Sequence, residues 1–409
     1  MSQDAYVIVG ASLAGAKAAE ALRAEGFAGP VVLIGAEAEL PYERPPLSKD
    51  YLQGKSPREQ IYVHPEQWYR ENEVELRLGK AVTQIDRAAH QVTIADGSTQ
   101  PYAKLLLTTG SSPRRLPVPG TDLDGVVYLR TVGDSERIKA ALESASRVVV
   151  IGAGWIGLET AAAARTAGAA VTVIEAAELP LLRVLGPETA QVFADLHRDH
   201  GVELRLGVGV AEITGTGGRA SGVRLTDGSQ ADADLIIVGV GITPNTQLAD
   251  AAGLQVSDGI VVGADLRTSD PDIYAAGDVA GAFHPLLGKH IRVEHWANAV
   301  NQPQAAARSM LGQPVSYDRV PYFYTDQYDL GMEYSGYVAP GGYARVVFRN
   351  ETAGREFIAF WIDSADRVLA GMNVNIWDVN DAIEALVRSG RPADPDVLRD
   401  PAVDLAGLA

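Results

Sequence analysis

The sequence predicts an α/β protein with two Rossmann-like dinucleotide-binding domains plus a C-terminal α+β domain. Two observations predict this fold class. A glycine turn directly follows a buried strand twice, in "AYVIVGASLAG" (5–15) and in "RVVVIGAGWIG" (147–157), and the segments after the two turns match each other in the same order. Strands that alternate with helices form parallel sheets, wound in the Rossmann manner.

The matching segments extend the repeat through each half of the chain. They are "VVLIGAE" and "VTVIEAAE" (31–37, 171–178), "VELRLG" twice (74–79, 202–207), "VTIADGS" and "VRLTDGS" (92–98, 223–229), and "LLLTTG" and "IIVGVG" (105–110, 236–241). Each half is therefore predicted to contain a buried strand, a glycine turn, an alanine-rich helix, a second strand that ends near an acidic residue, and a hairpin with an Asp-Gly turn.

The repeat sets the expected domain boundaries. The first domain is predicted to comprise 1–113 and 246–318, and the second 114–245. Residues 319–409 are richer in aromatic residues and alternate like antiparallel strands, which predicts a third domain of the α+β class.

Composition and charge exclude several classes of function. A net charge of -17 disfavours a generic nucleic-acid or anionic-membrane surface. The chain has no cysteine, which excludes disulfides and thiolate metal sites, and its seven histidines show no H-x-x-x-H spacing, so no metal site is predicted. No leader precedes the first strand, and the longest apolar run (148–158) is too short to cross a bilayer. We therefore expect a cytoplasmic protein with no nucleic-acid or membrane partner.

The second glycine turn has the spacing of a dinucleotide-binding loop. Gly152 allows the tight turn, Gly154 lets the backbone approach a pyrophosphate, and Gly157 permits close packing of helix on strand. The helix N-terminus adds free amides and a positive dipole. Glu175, 23 residues after Gly152, can accept the ribose hydroxyls and repel a 2′-phosphate, so NADH is favoured over NADPH. Arg183, the nearest cation, weakens this preference.

The first turn, Gly10-x-Ser12-x-x-Gly15, has serine at its middle position, a residue small enough to leave room for a phosphate. Glu37, 27 residues after Gly10, is the predicted ribose acceptor, with Glu39 as an alternative. A single motif of this kind is also common in α/β turns that bind no ligand. Because strand, loop, helix and acid occur twice in register, the sequence favours dinucleotide binding at both turns.

Beyond the two turns, the chain resembles the two-dinucleotide-binding-domain flavoproteins, the family of glutathione reductase. Within this family it is most similar to the NADH-dependent ferredoxin reductases, such as putidaredoxin reductase and the reductase components of aromatic-ring dioxygenases. The resemblance covers essentially the whole chain. Its markers are "GASLAG" (10–15), "LPYERPPLSK" (40–49), "LLLTTG" (105–110), "GAGWIGLE" (152–159), "GVGITPN" (239–245), "YAAGD" (274–278), "VEHWANA" (293–299) and "YFYTDQYD" (322–329).

The resemblance implies that FAD binds the first domain and NADH the second. The positions implied for FAD are Gly10, Ser12, Leu13, Ala14, Gly15, Glu37, Arg44, Lys49, Val82, Arg130, Asp278, His295, Trp296 and Tyr324. The positions implied for NADH are Gly152, Gly154, Ile156, Gly157, Glu159, Glu175, Arg183, Gly241 and Glu294.

Three of these positions keep an alternative. Asp278 could be a helix N-cap as well as a contact to the ribityl-phosphate region. His295 is expected to help position the nicotinamide, because hydride transfer needs no protein base. Tyr324 matches an aromatic position beside the isoalloxazine ring, but packing in a core is an equal alternative for it and is the expectation for its neighbours Tyr322 and Phe323.

Lys49 and Glu159 are implied to form the catalytic pair. The family places this lysine beside the hydride-accepting nitrogen of the flavin and pairs it with this glutamate. A buried cation there would stabilise the negative charge that develops on the reduced flavin, and the glutamate would keep it charged and oriented. From the residues alone, the alternative is an exposed lysine and an exposed helix glutamate that never meet.

The absence of cysteine decides the expected exit route of the electrons. Disulfide reductases of this family need a C-x4-C pair in the segment that matches "PPLSKDYL" (45–52), and the peroxidase branch needs a single reactive cysteine. Electrons are therefore expected to leave FAD directly, one at a time, for a [2Fe-2S] ferredoxin that serves a cytochrome P450 or a ring-hydroxylating oxygenase.

Other activities share the same motifs. A rubredoxin reductase and a cysteine-free NADH oxidase are the enzymatic alternatives, and a signalling protein like apoptosis-inducing factor is the alternative from another class. Lys289, Arg292 and Arg308 are candidates for a basic docking face toward an acidic ferredoxin. The protein is expected to be a monomer or a homodimer.

Overall fold

The computed structural model describes residues 4–408, which divide into two compact units. Within the described residues, the first unit comprises 4–44, Pro57–Ser112 and Ile242–Arg319, and the second comprises Pro45–Ser56, Pro113–Gly241 and 320–408. Residues 1–3 and 409, which the predicted domains include, lie outside the described residues. The C-terminal segment shares its unit with Pro113–Gly241, and the division into three domains stays a prediction.

The described residues contain ten α-helices and five 3-10 helices. The α-helices are α1 (Leu13–Ala24), α2 (Glu66–Glu71), α3 (Val132–Leu142), α4 (Trp155–Thr166), α5 (Leu182–Leu185), α6 (Pro187–Asp199), α7 (Gln247–Ala251), α8 (Trp296–Met310), α9 (Asn380–Ser389) and α10 (Pro395–Arg399). The 3-10 helices are Pro45–Ser48, Arg58–Ile61, Gly277–Val279, Thr352–Gly354 and Leu405–Leu408.

A parallel five-stranded sheet forms the core of the first unit. Its strands in spatial order are Ile273–Ala275, Lys104–Leu107, Tyr6–Val9, Val31–Ile34 and Val74–Arg77. Val31–Ile34 is buried at every position, as expected for a strand covered on both faces. Two smaller sheets complete the unit, one of Val82–Asp86, Gln91–Ile94 and Thr99–Pro101, the other of Val256–Ser257, Gly259–Val262, Ala280–His284 and Lys289–Ile291.

The second unit repeats the same parallel arrangement. Its strands in spatial order are Glu203–Leu206, Ala170–Glu175, Arg147–Ile151, Leu235–Val238 and Val126–Tyr128, with an antiparallel sheet of Val210–Thr216, Arg219–Leu225 and Gln230–Asp232. In both units the strand before the glycine turn lies at the centre of its sheet. The two Rossmann-like sheets predicted from the repeat are confirmed. Short strands Ser111–Pro113 and Ile242–Pro244 lie where the chain changes unit.

The C-terminal segment forms a five-stranded antiparallel sheet, which confirms its α+β class. The strands in spatial order are Tyr322–Gln327, Leu330–Gly336, Val368–Val374, Phe357–Ile362 and Arg345–Arg349. Phe357–Ile362 is buried at all six positions because its two faces enter different cores. Trp361 packs in the cluster that contains Val148 and Leu196, and Phe360 packs in the cluster that contains Ile383.

We expect Trp361 to contribute more to the free energy of unfolding than an exposed tryptophan does. Its side chain is 0% exposed, and its indole Nε1 donates a hydrogen bond to the Leu185 carbonyl at 3.0 Å. Substitution Trp361→Phe removes this donor and leaves a cavity, so we expect a loss of about 2 kcal/mol in the free energy of unfolding. Urea denaturation followed by far-UV circular dichroism measures it. Trp377→Phe is the control because Trp377 is 53% exposed, and equal losses in both variants would contradict the assignment.

Candidate nucleotide-binding and redox site

The two glycine turns have the same geometry for the same steric reason. Gly152 has φ +98°, and a Cβ there would lie 2.4 Å from the Gly239 carbonyl oxygen. A Cβ at Gly157 would lie 2.0 Å from the Gly152 carbonyl oxygen. No side chain fits at such distances, so these glycines let helix α4 begin directly against the sheet.

The first unit uses its glycines in the same way. Gly10 has φ +120°, and a Cβ there would lie 2.2 Å from the Thr108 carbonyl oxygen. A Cβ at Gly15 would lie 2.1 Å from the Gly10 carbonyl oxygen. Helix α1 therefore begins against its sheet as α4 does, with buried Leu13 and Ala14 in its first turn.

The middle position of each turn leaves the helix N-terminus open. Gly154 is the N-cap of α4, and a Cβ there would meet no heavy atom within 4 Å. Ser12 is the N-cap of α1, but its hydroxyl makes no capping hydrogen bond. By contrast, Thr131 caps α3 with a full capping box. The first-turn amides of α1 and α4 are left without a capping side chain, which suits an anionic phosphate. Both loops therefore fit the pyrophosphate of a dinucleotide.

Glu175 ends the strand next to the second turn and is tied to that turn. Its carboxylate accepts hydrogen bonds from the amides of Ala153 at 2.7 Å and Ala177 at 2.9 Å. These bonds fix the carboxylate beside Gly152–Gly157 while leaving lone pairs for a ribose. The carboxylate thus lies beside the second glycine turn, while its role as a ribose acceptor that repels a 2′-phosphate stays a prediction.

The other positions implied for NADH differ in their surroundings. Ile156, in the first turn of α4, is an apolar side chain that is 44% exposed. Arg183 in α5 is exposed and forms no ion pair within residues 4–408. Gly241 is an exposed glycine with φ +100°. Glu294 belongs to the first unit, where it pairs with Arg292; burial raises its pKa, with Asp278 adding to the effect and Arg292 opposing it.

Glu37, the predicted ribose acceptor of the first unit, lies three residues beyond its strand in an ion-paired cluster. Its carboxylate accepts hydrogen bonds from the Tyr42 hydroxyl at 2.5 Å and from Arg44 at 3.1 Å. Burial lowers the pKa of Arg44, but Tyr42, Glu37 and Asp278 outweigh that effect and hold the pKa above its ordinary value. The alternative acceptor, Glu39, instead pairs with Arg58 at 2.7 Å.

Asp278 lies inside the 3-10 helix Gly277–Val279, so it is not the N-cap of an α-helix. The turn is held from behind by Gln302, whose side-chain oxygen accepts the Gly277 amide at 2.8 Å. A Cβ at Gly277 would lie 3.3 Å from the Cβ of Ala14, which places the turn beside the start of α1. Asp278 and the first glycine turn are therefore neighbours in one unit.

The remaining first-unit positions lie on two elements, helix α8 and the strand Val82–Asp86. His295 is the N-cap position of α8, and Trp296 begins that helix and donates its indole N–H to Glu43 at 3.2 Å. Val82 is a half-buried residue that begins the strand Val82–Asp86.

The proposed docking cation Arg292 is not available at the surface. Its side chain is only 9% exposed and pairs with Asp258 at 2.7 Å and with Glu294. The prediction that Arg292 belongs to a basic docking face is wrong, because the carboxylates of a docking partner would have to compete with the two carboxylates that Arg292 already contacts. Arg308 and Lys289 are exposed.

Lys49 and Glu159 meet in the second unit as a buried ion pair. Glu159 projects from α4 with a side chain that is 3% exposed, and Lys49 follows the 3-10 helix Pro45–Ser48. The ammonium of Lys49 donates to Oε1 of Glu159. The alternative of two surface side chains that never meet is thereby excluded, while the catalytic role of the pair stays a prediction.

Two further donors to Glu159 were not identified from the sequence. The Ser48 hydroxyl donates to Oε2 at 2.5 Å, and the Thr325 hydroxyl donates to Oε1 at 2.6 Å. Strand periodicity carries a signal for Thr325, because alternate residues of Tyr322–Gln327 face opposite sides. Tyr324 faces the other side from Thr325, and the Lys49 ammonium lies 5.7 Å from its ring centroid.

The neighbours of Tyr324 pack as expected only in part. The ring centroid of Phe323 lies 4.7 Å from that of Trp155, within an apolar cluster. Tyr322 instead donates the hydrogen of its hydroxyl to Glu333 at 2.7 Å.

Arg130 follows the strand Val126–Tyr128, and its backbone N–H donates to Asp134 at 3.1 Å, so the start of α3 fixes its position.

The comparisons with known proteins agree with this geometry. Residues 4–303 match the family described as pyridine nucleotide-disulphide oxidoreductase, and residues 322–409 match the family described as reductase C-terminal. The ferredoxin–NAD(+) reductase component of the anthranilate 1,2-dioxygenase system of Burkholderia cepacia is 42% identical over 409 residues, with 99% of each chain covered. A rubredoxin-NAD(+) reductase of Pseudomonas putida is 38% identical, covering 91% of this chain and 96% of that protein.

The fold also matches a solved structure. The crystal structure of a covalent putidaredoxin reductase–putidaredoxin complex aligns with a TM-score of 0.94 at 37% identity, covering 98% of this chain and 97% of that chain. Separately, none of the helices within residues 4–408 combines the length and apolar character needed to cross a bilayer.

Alanine at Gly154 and at Gly157 should separate ligand binding from folding. At Gly157 the new Cβ would overlap backbone, so we expect Gly157→Ala to lower the free energy of unfolding by about 2 kcal/mol or more. At Gly154 the Cβ meets only open space, so stability should stay within about 0.5 kcal/mol while the KM for NADH rises. Thermal unfolding and steady-state kinetics measure the two effects, and a Gly154→Ala variant with unchanged KM would argue against a pyrophosphate at this turn.

Proposed function

The chain belongs to the pyridine nucleotide-disulphide oxidoreductase family, and we propose that it is an FAD-dependent NADH:ferredoxin reductase. As a member of this family it is an oxidoreductase that uses FAD and NAD(H). The buried Lys49–Glu159 pair is the observation that carries the proposal, because it supplies a fixed positive charge within a segment that has no cysteine to accept electrons.

The chain's own groups have distinct roles in this proposal. The N-termini of α1 and α4 would hold the two pyrophosphates, and Glu37 and Glu175 would accept ribose hydroxyls. When bound, FAD would supply the capacity to accept a hydride from NADH and to release electrons singly. Lys49 would stabilise the negative charge that accumulates beside it, and Glu159 would hold the ammonium in position.

The proposed electron acceptor is a [2Fe-2S] ferredoxin. The relative from Burkholderia cepacia is named as the ferredoxin reductase component of a dioxygenase system, and the matched crystal structure is of a reductase bound to putidaredoxin. Arg308 and Lys289 remain the proposed cations of a docking face. We further propose that the protein acts in the cytoplasm, as a monomer or a homodimer, and that its ferredoxin serves a cytochrome P450 or a ring-hydroxylating oxygenase.

Rubredoxin is the second candidate acceptor. The observation that favours it is the 38% identity to a rubredoxin-NAD(+) reductase over 374 residues. The nucleotide loops and the Lys49–Glu159 pair serve either acceptor equally, so the rate of electron transfer distinguishes the two.

Acceptor kinetics test the proposed function directly. We expect NADH-driven reduction of cytochrome c by the purified holoenzyme to depend steeply on added [2Fe-2S] ferredoxin, because electrons would leave the flavin through that carrier. Parallel assays with rubredoxin and with oxygen alone are the controls. An equal rate without ferredoxin, accompanied by oxygen consumption, would identify an oxidase instead.

Glu175→Gln should weaken the preference for NADH. Glutamine keeps the shape, but it removes the negative charge and presents an amide group to the Ala153 and Ala177 amides. We expect kcat/KM for NADH to fall about tenfold and the ratio of NADH to NADPH activity to narrow, since a hydrogen bond to a charged group is worth about 1.5–3 kcal/mol. Glu178→Gln is the matched control, because Glu178 is exposed on the same loop. A variant with the original coenzyme ratio would refute the role of Glu175.

A further inference from the structure

A row of buried polar side chains ends at Oε1 of Glu159, the oxygen that also accepts the hydrogen bond from Lys49. Thr325 and Gln327 lie on the same face of the strand Tyr322–Gln327, and both are buried. The Gln327 side-chain N–H donates to the Thr325 hydroxyl at 3.3 Å. The Gln327 side-chain oxygen lies 2.8 Å from Nε2 of His197, a buried residue of α6.

The hydrogen bonds of this row have one direction. An amide oxygen can only accept, so Nε2 of His197 must carry a hydrogen and donate to Gln327. Gln327 then donates to Thr325, and Thr325 donates to Glu159. Burial lowers the pKa of His197 to about 4, so its imidazole is neutral at ordinary pH with Nδ1 unprotonated. Every donor in the row points toward the carboxylate.

We propose that Thr325, Gln327 and His197 are positioning residues that hold the carboxylate of Glu159 in place against Lys49 during flavin reduction. This inference rests on the function proposed above, in which Lys49 lies against the flavin. Aligned hydrogen bonds polarise one another in a low-dielectric interior, so the row strengthens the Thr325 donor. A charge-assisted hydrogen bond to a buried carboxylate is about twice as strong as a neutral one.

The row is suited to holding a charge and not to conducting a proton. Gln327 accepts at one atom and donates from another, so a proton arriving from His197 has no continuous path to Thr325. Apolar residues could have filled the same space, and buried polar groups are costly unless paired. A row in which each polar group donates to the next therefore indicates a role for the charge at its end.

Charged and titratable groups face Glu159 from the elements packed against it. Lys49 faces it from the segment Pro45–Ser56, and Asp326 faces the pair from the strand Tyr322–Gln327. Burial raises the pKa of Asp326, with Lys49 opposing the shift and Glu159 and Asp50 adding to it. Helix α6 contributes one titratable residue to the row, His197.

The first test measures flavin reduction by NADH in the holoenzyme, under anaerobic stopped-flow conditions at neutral pH, with no ferredoxin present. Thr325→Val keeps the shape and removes the donor, so we expect reduction to slow about tenfold. Gln327→Met should slow reduction by less, because it removes a donor one step further from the carboxylate. Thr325→Ser keeps the hydroxyl and should retain the original rate.

Thr189→Val is the matched control. Thr189 is equally buried in the same unit, but its hydroxyl donates only to the Leu185 carbonyl at 2.6 Å. It should keep the original rate of flavin reduction. If Thr325→Val and Thr189→Val behave alike, or if Thr325→Ser fails to restore the rate, the positioning role is wrong.

The second test needs no turnover and keeps failure of the two proposals distinguishable. Imidazole ¹⁵N NMR of the holoenzyme should find His197 neutral and protonated at Nε2, and Gln327→Met should shift this signal while Thr189→Val leaves it unchanged. Protonation at Nδ1 would overturn the inference, because the row would then not point to Glu159. A wild-type holoenzyme that NADH does not reduce would instead overturn the proposed function, and the NMR result would still decide the direction of the row.

Discussion

The negative charge of Glu159 is the constraint on which the second unit depends. A carboxylate removed from water must be paired and hydrogen-bonded, and removing one partner of such a pair costs about 3–5 kcal/mol. The partners of Glu159 come from segments that are far away in sequence: Lys49 is 110 residues earlier and Thr325 is 166 residues later. Satisfying one charge therefore ties together Pro45–Ser56, helix α4 and the first C-terminal strand, and these three segments share one compact unit.

The two nucleotide loops depend on a second constraint, the approach of a helix N-terminus to a sheet. The approach is so close that no Cβ fits at Gly10, Gly15, Gly152 or Gly157. Because the same constraint acts on both halves, the same pattern of glycines recurs, and the strand before each turn occupies the centre of its sheet. The helices that begin there keep first-turn amides with no capping side chain. Packing thus produces, as a consequence of the fold, the uncapped helix N-termini that the proposed pyrophosphate sites would use.

Sequence reasoning reached the parts of the molecule that local patterns determine. The two strand–turn–helix units, their parallel sheets and the antiparallel C-terminal sheet follow from apolar periodicity and glycine spacing. The contact between Lys49 and Glu159 follows from no local pattern, because 110 residues separate them, and it was implied only by the family resemblance. Arg292 failed as a docking residue for a related reason. Sequence does not reveal that Asp258, 34 residues away, neutralises it. The alternation of side chains along a strand indicates that Thr325 and Gln327 share one face, but only tertiary packing tells which face of their strand is buried.

The duplicated units differ most in the surroundings of the acidic residue that follows the second strand of each. Glu175 ends its strand and is fixed by two backbone amides, so its charge stays open to a ligand on the remaining lone pairs. Glu37 lies beyond its strand and is held by Tyr42 and Arg44, so part of its charge is already balanced by a guanidinium. A carboxylate held by amides selects against a 2′-phosphate more strongly than one paired with arginine, because its charge is less compensated. In the proposed function, the second unit is therefore better suited to choose between two nicotinamide coenzymes, whereas the first would need only to retain one nucleotide.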